Sequence, residues 1–212
     1  MDECANQRKF KTVTIAIVSV AVTAVVAVLV FLLARYFIFT PVMSDDLFDF
    51  TFKLDGVVYQ LPCDFKDFTE NGWSISSLDE VAEDTMVHCD KNVYFHFSKG
   101  NNKIFVEAYN MSENAKMLKD CKIGEIKVND NWQNDFVIAK GIKLKSSENT
   151  VEKAFGAPDG REKYSCSFTE SINYKHEIND KYNGAYFLFN SFDNKECVSI
   201  TLRNIIKTDE DK

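Results

Sequence analysis

The sequence predicts an α+β fold: an N-terminal transmembrane helix, then an ectodomain of short helices packed on antiparallel sheet. Three observations predict it. An uncharged apolar run extends from Val13 to Ala34. Past residue 48 the hydrophobic period switches between 2 and 3.6. Helix-start signals at Asp64 and Asn149 are each followed by a series of strand-like segments. Hydrophobic residues at 45 % and charged residues at 27 % exclude wholesale disorder. The 25 Lys+Arg against 32 Asp+Glu give a net charge of −7 and argue against nucleic acid as a partner, because its binders carry basic surfaces.

At about 1.5 Å per residue, a helix over Val13 to Ala34 covers a hydrocarbon core of roughly 30 Å. Its apolar character persists to Phe39 and stops at Thr40-Pro41. Arg8, Lys9 and Lys11 precede the run, and Asp45 and Asp46 follow it. The positive-inside rule then predicts a cytoplasmic N-terminus over 1–12, a single-pass signal-anchor over 13–39 and an extracytoplasmic remainder at the cell membrane. The run exceeds a signal-peptide core, and a small-x-small cleavage pattern fails at Leu32. Residues 40–48 read as a linker and 207–212 as a charged, disordered tail.

Two units follow, 49–135 and 136–206. In the first, Phe50 and Phe52 alternate with polar residues up to an Asp55-Gly56 turn, and Val57 and Tyr59 return as a hairpin. Asp64 caps a short helix with Phe65 and Phe68 on one face. Strands are predicted at 85–89, 92–98 and 103–109, the last two joined at Gly100-Asn101; 112–119 fits a short helix or a loop. The second unit opens with a strand and turn over 136–144. A helix then starts at an Asn149/Glu152 capping box, buries Val151, Ala154 and Phe155, and stops at Gly156 and Pro158. Strands are predicted at 162–169, 185–190 and 196–203. The shared order reads equally as two diverged helix-plus-strands repeats or as one α+β domain with glycine-terminated helices.

The phrases FKLDGVVYQLPCDFKDFTENGW and GIKLKSSENTVEKAFGAPD resemble uncharacterised single-pass extracytoplasmic proteins of Gram-positive bacteria, over about residues 50 to 160. The second phrase also resembles, more weakly, the repeat of β-lactamase-inhibitor-like proteins and small outer-membrane assembly lipoproteins. The resemblance implies short helices on an antiparallel sheet and a protein-binding role; it carries no binding residue over to this chain.

The chemistry-bearing residues form no recognised catalytic or metal motif, and no cofactor is implied. Cys4 lies before the apolar run, and Cys63, Cys89, Cys121, Cys166 and Cys197 after it, without a C-x-x-C pair. Cys166 and Cys197, on neighbouring predicted strands, are the preferred disulfide; small buried thiols are the alternative. Cys197 and Arg203 with His96 or His176 have the residue types of a sortase-like thiol site, but the phrase that marks those enzymes is missing. His88, Cys89 and His96 lack a ligand spacing. Asn110-Met-Ser112 is a formal glycosylation sequon. Alternation places Tyr94 and His96 opposite Phe95 and Phe97, and Tyr186 opposite Phe187 and Phe189. Tyr94, His96 and Tyr186 are therefore the candidate binding face, since tyrosine offers apolar area and a hydroxyl at little entropic cost. The expected function is a membrane-anchored extracytoplasmic binding module for a protein or cell-wall component. An envelope hydrolase or thiol enzyme, and a structural subunit of a membrane complex, are the alternatives.

Overall fold

The computed structural model describes residues 22–30, 41–132, 134–164, 168–176, 183–191 and 195–205. The chain divides into two compact units, Met1–Thr40 and Pro41–Lys212. In the first, residues 22–30 are helical and exposed. No helix among the described residues is long and apolar enough to cross a membrane. The predicted single-pass signal-anchor is corrected on that finding; the other residues of 13–39, like 1–12 and 207–212, lie outside the described residues.

The second unit is mainly antiparallel sheet, which corrects the α+β expectation. Its strands are β1 (Thr51–Leu54), β2 (Val57–Gln60), β3 (Cys63–Asp64), β4 (Ser74–Ile75), β5 (Met86–Val87), β6 (Lys91–Lys99), β7 (Asn102–Asn110), β8 (Lys116–Met117), β9 (Lys122–Asn129), β10 (Phe136–Ile138), β11 (Gly160–Tyr164), β12 (Thr169–Lys175), β13 (Gly184–Asn190) and β14 (Cys197–Arg203). Beside them stand only short helices, α1 (Phe65–Thr69) and α2 (Glu148–Phe155). Three stretches account for the difference. Residues 112–119 hold a loop, the two-residue strand β8 and the start of a 3-10 turn over Leu118–Asp120. The predicted strand 162–169 is the two facing ends of a β11–β12 hairpin. Residues 122–129, to which periodicity assigns no element, form β9. Gly124 is an extra residue of β9 opposite the Glu107/Ala108 step of β7, so buried Ile123 and Ile126 stand three apart and the period-2 signal is lost.

The large sheet runs β11-β12-β13-β14-β9-β7-β6-β4, with β3 also pairing β9; β10-β1-β2 form a second sheet, and β5 pairs β8. Helix and strands recur in order: α1 precedes β6, β7 and β9, and α2 precedes β12, β13 and β14. The two series meet at β9 and β14. Residues 49–135 and 136–206 nevertheless share one compact body, because β14 pairs β9 and β10 pairs β1.

Local chemistry sets the element ends. Asp55 and Gly56, at φ 48° and 86°, turn β1 into β2. Asp64 and Asp67 cap α1 reciprocally, the Asp64 amide donating to Asp67 Oδ2 at 2.9 Å. Ser147, rather than Asn149, caps α2: its backbone is extended and its Oγ accepts from the Thr150 amide at 3.2 Å. Asn149 is thus inside the first turn.

A run of stacked rings joins the layers. Phe136 meets Phe52 at 5.5 Å, Phe52 stacks on Tyr59 at 5.3 Å, Tyr59 on Phe68 at 4.7 Å, and Phe68 on Phe97 at 5.0 Å. The small sheet is therefore tied through α1 to β6 of the large one. Phe155 of α2 packs on Phe187 of β13 in the same way. Burying each such ring contributes about 1.5–3 kcal/mol, and each ring pair about 0.5–1.5 kcal/mol more.

Gly124 shows how tightly β9 is packed. A Cβ there would lie 2.2 Å from Tyr109 Cε1 and 2.9 Å from Ile205 Cγ1. Gly124→Ala is expected to cost about 1–3 kcal/mol through overpacking, read as a lower urea midpoint at unchanged slope.

An ionic network fastens α2 to the sheet. Arg161 of β11 binds Glu148 and Glu152 of α2 and reaches Glu170 of β12 at 2.6 Å. Lys195 lies 2.7 Å from Glu148 and 3.0 Å from Glu170. Burial pushes the Glu148 carboxyl up, but its hydrogen bonds with Lys195 and Arg161 outweigh that and hold it below the usual glutamate value. The Arg161 hydrogen bond lowers Glu170, against its burial. Both groups therefore give stability that is complete above the ordinary glutamate pKa and is lost as pH falls through their depressed values. Urea midpoints are expected to be level near neutrality and to drop below about pH 4.5. Glu170→Gln should be less stable at neutral pH and show a shallower acid loss.

Candidate functional site

The large sheet has one face in the core, lined by Phe95, Phe97, Ile104, Val106, Ile126, Val128, Ile200, Leu202, Phe187 and Ile172. Its other face is open. Strand register places His96, Phe105, Lys127, Thr201 and Tyr186 in one cross-strand row over β6, β7, β9, β14 and β13. Tyr94, Glu107, Glu125 and Arg203 form the next row. The structure thus puts Tyr94, His96 and Tyr186 on one face but not in one cluster. Four strand spacings of about 4.8 Å separate His96 from Tyr186 by about 19 Å.

His96 is held by its surroundings. Its amide donates to Asp79 Oδ2 at 2.8 Å, and its Nδ1 lies 3.1 Å from Asp79 Oδ1. Its ring is edge-on to Phe105 at 5.2 Å and to Trp132 at 5.8 Å. Tyr94 is 51 % exposed and stacks on Phe105 at 5.8 Å. His96 therefore anchors the 76–85 loop to the sheet edge, and Tyr94 is the more accessible of the two.

Between these aromatics and Tyr186, Glu107 and Glu125 face each other across β7 and β9. Like charges directly opposite repel. Arg203 resolves this, its Nη1 lying 2.7 Å from both carboxylates, while Asn92 Nδ2 donates to Glu107. Burial raises the Glu125 carboxyl above the usual value even though Arg203 lowers it.

On the far side of that network, Lys127, Tyr164, Thr169, Ser171, Tyr186, Leu188, Ser199 and Thr201 line a groove running from β9 across β14, β13 and β12 to β11. Tyr186 is the one residue of the predicted binding face that lies in it. Reading the sequence misses Lys127, because β9 carries no clean alternation, and misses Ser171 and Tyr164, because the β11–β12 hairpin is read as one strand. The alternation around Tyr186 and the hydroxyl positions Ser199 and Thr201 was the signal at hand.

The thiol candidates fall away from this face. Cys197 is wholly buried and is a free thiol; Cys166, its predicted disulfide partner, lies outside the described residues. A register shift at Leu188/Phe189 sets Cys197 opposite Phe189, so it joins the core while Arg203 stays on the open face. Simple alternation, which puts both on one face, fails at that bulge. Burial also pushes the Cys197 thiol up to about 12, away from thiolate chemistry. Arg203 is engaged by Glu107 and Glu125, and His176 packs on Phe48 and Phe50. The sortase-like grouping of Cys197, Arg203 and a histidine is therefore not assembled. Cys63 and Cys121 are buried and Cys89 is exposed, all three as free thiols. No group of three or more metal-ligating side chains occurs among the described residues, His88, Cys89 and His96 included.

Asn110, of the formal sequon, is 1 % exposed. Its Nδ2 donates to Val87 O at 2.9 Å and to Asn114 O at 2.8 Å, and its Oδ1 accepts from Ser112 N and Oγ. It is a structural residue of the folded chain.

No family model, curated protein or solved structure matches this chain.

Proposed function

We propose that residues 41–212 form a non-catalytic recognition module that binds a partner on the open face of the large sheet. The observation that carries this is the groove over β9, β14, β13, β12 and β11, where Tyr186, Thr169, Ser171 and Thr201 stand half-exposed and Tyr164 exposed on paired strands. Rings on fixed strands lose little entropy on binding, and neighbouring hydroxyls adapt their hydrogen bonds, the combination that serves protein recognition. The recurrence of helix and strands in the two series supports the same reading, since it extends one sheet to the width of a docking surface. For the surface itself, a photo-cross-linking side chain is placed at Tyr186 in the full chain. The expected result is a discrete adduct that is absent when the cross-linker stands at exposed Lys153 on α2. Equal labelling at both sites, or none at Tyr186, contradicts the reading.

A further inference from the structure

We propose that the β5–β8 ribbon binds a cuprous ion, with the Met86 and Met117 thioethers and the His88 ring as its ligands. Met86 and Met117 are 53 % and 40 % exposed and stand directly opposite each other in the antiparallel pair. Opposite residues of such a pair have Cβ atoms roughly 4.5–5.5 Å apart. Each sulfur lies two bonds further out, on an unbranched and adaptable arm. Exposed apolar residues scattered singly are ordinary; two facing methionines beside an exposed histidine make a donor set. Val87, between Met86 and His88, is 2 % exposed, so alternation turns both of its neighbours outward on one side of the ribbon. His88 then follows Met86 by about 7 Å along the strand. Its backbone carbonyl accepts from the Lys91 amide at 3.2 Å, while the residue itself stands exposed.

The ribbon is fixed from beneath. Leu118 is fully buried and its amide donates to Thr85 O at 2.8 Å, while Asn110 Nδ2 holds Val87 O at 2.9 Å. The three donors therefore converge by side-chain rotation alone, on a backbone already in place. Their chemistry selects the ion. The sets excluded above consist of histidine, cysteine and carboxylate, whereas two of the donors here are thioethers. Neutral, polarisable thioether sulfur favours soft copper(I), imidazole suits the same metal, and hard ions such as calcium or magnesium prefer oxygen. Cys89, an exposed free thiol next to His88, is the rival ligand that the test must separate. No residue of the ribbon lines the groove, so this site stands apart from the recognition surface.

The test adds copper(I), as its acetonitrile complex under argon, to the full chain with isotope-labelled methionine methyl groups. It uses the wild type and a Cys4→Ser, Cys89→Ser, Cys166→Ser variant, which keeps only the buried thiols Cys63, Cys121 and Cys197. In both, the Met86 and Met117 methyl signals are expected to move together in the NMR spectrum and to saturate at about one equivalent, while those of Met43 and Met111 stay. Met86→Leu, Met117→Leu and His88→Gln should each weaken binding about tenfold or more in competition with bicinchoninate, and Met43→Leu should not. All three ligand positions are exposed, so the melting temperature without copper should match the wild type, separating a lost ligand from a lost fold. Absence of saturable movement at the two methyls, an affinity unchanged in any of the three ligand variants, or movement of the same methyls by zinc(II) at lower concentration overturns the inference. Copper that leaves both methyls in place and is lost with Cys89→Ser is held by a thiol, and that result also overturns it.

Discussion

Replacing Phe68 with alanine is expected to destabilise the protein by about 3–5 kcal/mol. That is a large part of the roughly 5–15 kcal/mol that holds a domain of this kind folded. Phe68 is fully buried on α1, stacked between Tyr59 of the small sheet and Phe97 of the large one. Truncation removes the ring that both layers share and opens a cavity between them. Phe68→Leu retains most of the volume and should cost less. Urea unfolding of the three proteins checks the order. A loss below about 1 kcal/mol for Phe68→Ala would mean that the sheets are not joined through α1.

Asn110→Ala should cost about 2–3 kcal/mol, although the residue sits in what reads as a surface sequon. Its amide bridges two segments, donating to Val87 of β5 and to Asn114, and accepting from Ser112. Removing the side chain leaves the buried Val87 carbonyl without its donor and unties the Ser112–Asn114 turn, whose Asn114 carbonyl keeps only the Ser112 hydroxyl. Asn110→Asp keeps the acceptor, loses both donors and adds a buried charge, so it should be no better. Thermal melting decides between this and a peripheral residue; a variant within about 0.5 kcal/mol of wild type would contradict the buried role. The folded chain cannot present the Asn110 nitrogen for modification.

How much of this was legible depended on whether each strand kept its phase. The Asp55-Gly56 hairpin and strands β6, β7, β13 and β14 stand where regular alternation or a turn pair marks them. β9 is invisible because the bulge opposite Glu107/Ala108 breaks its alternation, and with it goes Lys127, the one cation among the described residues that line the groove. The bulge beside Phe189 moves Cys197 off the face that alternation assigns to it. The α2 cap falls at Ser147 because two cap-competent residues stand close together and only the backbone angle distinguishes them. Tyr94, His96 and Tyr186 are readable as one face. Their separation is not, since strand order is a property of long-range pairing that no local pattern records.

The groove exists only if β9, from the first series of strands, and β11 to β14, from the second, fold as one sheet. Native-state hydrogen exchange tests this most directly. Amides of β7, β9 and β14 are expected to share the slowest exchange class and to be released together as urea is added. Independent release of residues 49–135 and 136–206, with β14 exchanging while β7 stays protected, would show two separate bodies and remove the surface on which recognition is proposed.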